Sequence, residues 1–566
     1  SISPLVSEKL LWSLSRWTST YLLPRSQNGR SVPEAISSSF NDINLVDFFV
    51  QKCSVYLSKW GSQEAVALES MKLLENVVNR VVAHGGSSVH KMLHLSSWTS
   101  LSQAHIAACD PHKDTWEPLN GLTGEEHGSL VAVLCKALGT SKSDSTEYKT
   151  YAQNSFVALI KNPLESRLES CTKTAVSAIE NKKNIIGDSS WLMNTLRMLH
   201  LYHGIIGAEC VGLLAEMIRS IVVPHLQGAF MHIAKSVTPF AYGKSATTGT
   251  DGGGQLIIRS ILKLFCLFMT EQLSTTTNDL LPGVYTGCDM LLQIFVECNR
   301  LRMDPKTKRG KLNSEENEWA SDVTNLIMIL TELCDRDIVS FEEHAAENTK
   351  VSAEGIVFQG MSVILPLITE EILSFPDVAY RLFYFLGTVV QVYPTKLSSL
   401  DPALFNSICQ SLQFGINDHR VNVCRTSFEC LASIAMYHVS EKRKSQNNYS
   451  GLSKQLIGAN TTVFIDFLQS VFTFVVFSTY DSSLLDPASN ALLALIACEE
   501  TNFESMLQQI IASQPEEQVK ERLQQSFKKL VLSNGVTLSF DRLNRNKFKK
   551  NVHEFVNEVR GFMRKR

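Results

Sequence analysis

The sequence is notable first for what it lacks. No two of its 13 cysteines form a CxxC pair, and Cys53, Cys109, Cys135, Cys171 and Cys210 show how widely they are scattered along the 566 residues. That spacing excludes a disulfide framework or a cysteine-rich zinc module. It predicts reduced, buried thiols of the kind kept in the cytosol or nucleus. No run of about 18 uncharged apolar residues is present, which excludes a membrane-spanning helix by length. The first apolar segment, Leu5 to Leu23, is interrupted by Glu8, Lys9 and Arg16. It reads as an amphipathic helix and not as a secretory signal. The period-2 alternation of half-buried strands is missing throughout.

Charge of one sign is also lacking. There are 53 Lys and Arg against 56 Asp and Glu, a formal net charge of −3. The balance is local, however. Residues 541–566 carry nine basic and three acidic side chains, which leaves −9 on the other 540 residues. A mildly acidic body argues against a nucleic-acid surface and for basic partners.

Helical periodicity is present almost everywhere. Between Pro376 and Pro394, the residues Val378, Leu382, Phe383, Leu386, Val389, Val390 and Tyr393 form one apolar stripe. Pro376 suits a first helical turn, and Pro394 forbids continuation. Asp401-Pro402 opens a second helix with Leu404, Ile408 and Leu412 on one face. The turn Gly415 to Asp418 follows, then a third helix with Val421, Val423, Phe428, Leu431 and Ile434. Comparable pairs fill the chain, with helices expected over 88–108, 146–178, 205–220, 222–237, 316–336, 376–393, 419–438 and 544–564, among others. The expected fold is all-α, an α-solenoid of HEAT-like antiparallel helix pairs, continuous over 1–566 and closed by a basic capping helix at 541–566. The chain has no initiator Met and begins inside helical pattern, so a fragment lacking its N-terminal part is expected. Loops are expected at 110–121, 241–253, 304–314 and 439–452, protruding from the array either as tolerated surface loops or as insertions that touch partners.

Few motifs suggest chemistry. Gly243-Lys244-Ser245 resembles the end of a phosphate-binding loop, but Thr238 stands where the first glycine belongs and no strand precedes it. His90 and His94 are spaced i, i+4, and His200 and His203 i, i+3. Either pair has zinc-binding spacing, or serves as ordinary helix histidines; HKMLH lacks the glutamate that would activate water. The stretch 251–254, DGGG, is either an anion site at a helix N-terminus or a hairpin between repeats. No nucleophile turn is present. No catalytic residue, cofactor-binding residue or metal ligand is therefore assigned, and no enzyme is expected.

Two charged features remain. The last helix carries the stripe Phe548, Val552, Phe555, Val559 and Phe562, with Lys549, Lys550 and His553 on its polar side and Arg564-Lys565-Arg566 at its end. It is either a cap or a basic docking tail. Residues 315–343 are acidic, with Glu315, Glu316, Glu318, Asp322, Glu332, Asp335, Asp337, Glu342 and Glu343. If their helix lines a concave face, Asp322, Glu332, Asp335 and Asp337 are candidate contacts for a basic cargo. The alternative is a solvated outer face.

Residues 351–424 carry a family resemblance. A helix ends before Phe375-Pro376, then come Tyr384, Phe385, Tyr393-Pro394, Lys396, Leu400, Pro402, Leu404-Phe405 and Ser411-Leu412. This pattern resembles the exportin-4 family of the importin-β (karyopherin) superfamily, C-terminal half, with exportin-7 as a near relative. Residues 3–24 and Phe527-Lys528-Lys529-Leu530 are similar to other parts of that family. The resemblance implies a HEAT-repeat nuclear export receptor shuttling between nucleus and cytoplasm. It implies Ran-GTP, protein cargo and phenylalanine-glycine nucleoporins as partners, with a hypusine-containing translation initiation factor as cargo. The family's main Ran-binding repeats lie in an N-terminal half that this chain is expected to lack, so no Ran-contact residue is carried over. The rival reading is a static HEAT scaffold that assembles an enzyme complex without Ran control.

Overall fold

A computed structural model describes residues 3–21, 43–83, 86–113, 115–139, 146–241, 252–303, 314–340, 352–444, 451–457 and 460–560. Every regular element among them is helical, as expected. The chain divides into two compact units, one of residues 1–308 with 349–351 and the other of 309–348 with 352–566. Gly243-Lys244-Ser245, Glu342, Glu343 and Arg564-Lys565-Arg566 lie outside the described residues, as does most of the expected loops at 241–253 and 304–314.

The first unit holds α1 (Pro4–Tyr21), α2 (Ile43–Trp60), α3 (Glu64–Ala83), α4 (Gly86–Leu93), α5 (Ser96–Ala108), α6 (Gly124–Gly139) and α7 (Thr146–Phe156). A π turn, Val157–Lys161, leads from α7 into α8 (Asn162–Glu180). There follow α9 (Ser189–Ile206), α10 (Leu213–Gln227), α11 (Ala229–Ala241), α12 (Gly252–Gln272) and α13 (Leu281–Met303). Contacts run in two rows. Helices α1, α3, α6, α9 and α12 pack in succession, and in the second row α2 packs on α5, α5 on the π turn that leads into α8, α8 on α11, and α11 on α13. Successive helices thus alternate between rows, which is the packing of a helical-repeat array.

The second unit repeats the scheme. It contains α14 (Ser314–Ser340), α15 (Ala353–Ile364), α16 (Glu370–Leu373), α17 (Pro376–Val392), α18 (Pro402–Ile416) and α19 (Val421–Lys444). Next come α20 (Val463–Phe477), α21 (Leu485–Cys498), α22 (Glu500–Ala512), α23 (Glu517–Leu532) and α24 (Arg542–Val559). Helices α14, α17, α19, α21 and α24 follow one another in one row, while α15, α18, α20 and α23 lie against them. The stripe of α17 is buried as its spacing requires, between α14 and α19. Pro376 occupies its first turn, and the helix ends at Val392, with Tyr393 as its C-terminal cap just before Pro394.

Three local outcomes differ from the sequence reading. The helices expected over 205–220 and 222–237 are shifted. Helix α9 runs on to Ile206, and α10 starts after Gly212, whose φ of 64° only glycine adopts freely. The expected helix 88–108 breaks at His94–Leu95 into α4 and α5. The expected loop at 439–452 begins later, because α19 continues to Lys444 with Lys442, Arg443 and Lys444 in its last turn, where cations favour the helix dipole.

Close backbone approach fixes the pairing of α6 with α9. A Cβ added at Gly204 would overlap the Gly128 carbonyl oxygen, and one at Gly128 would overlap the His200 carbonyl oxygen. Backbone atoms cannot swing aside as a side chain can. Gly204→Ala is therefore expected to lower the unfolding free energy of the first unit by about 2–3 kcal/mol. Gly187→Ala, where an added Cβ meets nothing within 4 Å, should leave it unchanged. Calorimetric unfolding of both variants checks this.

Candidate binding surfaces

The acidic helix is α14, and the structure separates the residues that the sequence grouped. Asp322 is 6% exposed and belongs to the packed side of the helix, next to buried Val323 and near Trp319. Glu332 and Asp335 are half-buried one turn apart, facing α17. Asp335, burial, Tyr380 and Glu332, in that order of influence, push the Tyr384 phenol up. The Asp335 carboxyl is itself raised by burial. Asp337 accepts a hydrogen bond from the Tyr393 hydroxyl at 2.5 Å. Burial raises its carboxyl most and Glu354 adds to this, while the Tyr393 bond and Arg336 pull the other way. Glu354 in turn is paired with Lys396. Glu315 and Glu316 belong to the first turn of α14, and their side chains are outside the described set.

Aromatic side chains were the missing half of this surface. Tyr380 and Tyr384 lie one turn apart on α17, with rings stacked at 6.4 Å and 19°. They are 49% and 46% exposed. Their positions fall off the buried stripe of α17, and that offset was the signal in the sequence. Glu332 and Asp335 beside two exposed phenol rings make a surface suited to a cation, by charge and by the ring faces. Because burial is what raises the Asp335 carboxyl, an incoming cation would offset part of the cost of holding that charge away from water.

The expected protruding loop at 110–121 is instead locked in place. Trp116 is buried, and its indole N–H donates to Asn194 Oδ1 at 2.7 Å. The Arg167 and Arg197 guanidinium groups lie 4.7 and 4.8 Å from its ring centroid. Arg167 donates to the carbonyls of Asp110 and Lys113, and Arg197 to that of Leu119, each at 2.6 Å. Two helices, α8 and α9, thus clamp the loop.

Beside the clamp, His105, Cys109 and His127 bring three potential metal donors within 4.8 Å of one another, all buried. Their hydrogen bonds form a saturated chain. Arg197 Nε–H donates to His127 Nδ1 at 3.2 Å, which places the His127 proton on Nε2. That proton is donated to His105 Nδ1 at 3.0 Å, and His105 donates onward to the Leu159 carbonyl in the π turn. Burial pushes the Cys109 thiol up to about 12, so the thiolate a metal needs is disfavoured. With Arg167 and Arg197 adding positive charge alongside, this donor set does not fit a metal ion.

His200 and His203 lie elsewhere. They line a groove of about 590 Å³ together with Glu125, Ser129, Ser260 and Lys263, and burial and Lys263 push both imidazoles down. Gly252, Gly253 and Gly254 of the DGGG stretch form the first turn of α12, where an added Cβ at Gly253 would strike Leu192. They close a packing contact and leave no open cradle. The last helix, α24, buries Phe548, Val552, Phe555 and Val559. Its basic side is partly spent inward. His553 and Lys549 lie 3.1 and 3.5 Å from Asp486 of α21, and Arg560 donates to the carbonyls of Val475 and Ser478 while lying over the Tyr480 ring. Among the described residues, no helix is long and apolar enough to cross a membrane.

Two units built of alternating helix rows define an all-α, helical-repeat solenoid protein. The sequence places it more closely: the Exportin-4 family profile matches residues 253–566, more than half of the chain, and the chain belongs to that family. Exportin-4 of Dictyostelium discoideum is 21% identical over 574 residues, a stretch that takes in all of this chain and 44% of that protein. The chain therefore spans less than half the length of that relative. Among solved structures, an engineered protein is similar at a TM-score of 0.35 and 10% identity, over 97% of this chain and 96% of its own. A circular tandem repeat protein is similar at 0.29 and 11%, over 90% and 100%.

Acid should loosen the first unit through the buried histidine chain. Burial holds His105 down to about 4, and His127 well below its ordinary value. An unfolded chain accepts protons near 6.5 that the folded chain refuses. Stability is therefore flat above about pH 6.5 and falls as pH drops toward 4, by about 2 kcal/mol at pH 5 from His105 alone. Thermal unfolding at pH 7.5 and pH 5 measures the loss; an unchanged midpoint would mean that the imidazoles titrate freely.

Proposed function

We propose that this chain is part of a nuclear export receptor that binds protein cargo together with Ran-GTP. The observation that carries the reading is the family match across 253–566. The receptor would shuttle between nucleus and cytoplasm and contact phenylalanine-glycine nucleoporins on the way. It works by reversible binding and not by catalysis. The cargo is basic, and the proposed one is a hypusine-containing translation initiation factor. Its long cationic side chain needs carboxylates at its end, because a desolvated cation without a partner is costly.

Glu332 and Asp335 are proposed as the cargo contacts, with Tyr380 and Tyr384 as the aromatic wall. Asp322, buried on the packed side of α14, and Asp337, bonded to Tyr393, are not assigned a direct contact with the cargo. Helix α24 is proposed as the cap of the array, since its apolar stripe is buried and Lys549 and Arg560 are engaged with α21 and α20. Ran-GTP and cargo would bind cooperatively by favouring the same arrangement of repeats. A static scaffold, the rival, would bind its partners with no dependence on the GTPase.

Titration with the hypusinated factor and its unmodified-lysine form, with and without Ran-GTP, on this chain and on a longer chain of the family, tests the reading. Glu332→Gln and Asp335→Asn should each weaken cargo binding about tenfold, or about 1.4 kcal/mol. Full affinity in both variants removes the patch from the cargo site. Cargo affinity indifferent to Ran-GTP in the longer chain would leave the scaffold standing.

A further inference from the structure

We propose that His90 and His94 form a two-histidine site for a divalent transition-metal ion on the surface of the first unit. The pair sits at the end of α4, with His90 in its last turn and His94 immediately after it. Both side chains are exposed. Their Nε2 atoms lie 3.2 Å apart. Two metal–imidazole bonds of about 2.0–2.1 Å at a near-tetrahedral angle span about 3.3 Å, so the observed separation matches that of two nitrogens on one ion. The two rings meet at 67° with centroids 4.5 Å apart.

The rings are also walled. Tyr151 of α7 lies 5.4 Å from the His90 ring and 5.0 Å from the His94 ring, and Tyr148 lies 6.3 Å from His90. Aromatic packing on one side limits the rotamers of both histidines, so less freedom is lost when an ion binds. A hydrogen bond between two neutral imidazoles accounts for the same distance. In water it gains little, because each nitrogen finds a solvent partner as good. The two sites with deeper burial behave oppositely. The chain through His105 and His127 is saturated, and His200 and His203 share their groove with Lys263.

With two protein ligands, water fills the remaining positions, and the order of affinity follows copper above nickel and zinc. The bound ion would fasten the last turn of α4 just before the chain breaks toward α5.

Zinc titration of the full chain, read by competition with a metal indicator, tests the proposal. One zinc is expected at this pair. His90→Gln and His94→Gln should each reduce its affinity at least tenfold, and His112→Gln, at another exposed histidine, should not. Both rings are on the surface, so neither variant threatens folding. Copper bound to the wild-type chain should show two nitrogen couplings in its electron paramagnetic resonance spectrum, falling to one in either variant. Equal zinc affinity in wild type and both variants, or a copper spectrum indifferent to them, would overturn the site and leave the pair as a plain hydrogen bond.

Discussion

Most helices among the described residues carry an apolar stripe that they cannot hide alone. That single constraint organises the rest. A helix such as α17, 17 residues long, would be marginal by itself in water. Its stripe finds cover between the helix one pair earlier and the helix one pair later. The contacts that bury it are local in sequence, so two rows of helices grow by addition instead of closing around one centre. Each row also leaves an outer face with no packing duty. Such faces are where carboxylates and exposed phenol rings can gather without cost to the core.

Packing detail then sets how tightly neighbours may approach. At Gly128 and Gly204 the absence of side chains lets two backbones touch, and the pairing of α6 with α9 is fixed there. Gly415 in the second unit makes room for side chains instead, where an added Cβ would overlap Ser427 Oγ and the Phe383 ring. These glycines are helical and do not serve turns. Gly212, with its positive φ, serves the opposite purpose by ending one pair and starting the next.

The helices and their buried faces were legible because a 3.6-residue period survives in single-sequence patterns. All seven residues assigned to the α17 stripe are buried. Prolines and glycines punctuated them, but could not distinguish a break at Gly212 from one several residues later. The acidic helix was legible by composition, whereas the arrangement of its carboxylates was not. Asp322 and Asp335 stand about 140° apart around the helix axis, and which of the two sides turns inward is decided only by packing against neighbouring helices. Tyr380 went unnamed and Tyr384 entered only as part of the family pattern, because an exposed aromatic residue reads like a buried one until its stripe is drawn. The segment 110–121 misled for a similar reason. Its Asp, Lys, Gly and Asn suggest solvent, and the arginines that hold it come from residues 50 or more positions away. Polar composition cannot reveal a partner so distant in sequence.

The clamp around Trp116 has a mechanical consequence. Two guanidinium groups from α8 and α9 grip one indole and the carbonyls of one loop, so those helices cannot rotate against each other without breaking several charge-assisted bonds at once. Most junctions in such an array rest on apolar contacts that slide at little cost. Here one junction is rigid by chemistry. A spring with one stiffened coil does not flex evenly. Deformation imposed on the first unit is diverted to the coils on either side, and the loop is what keeps that joint stiff.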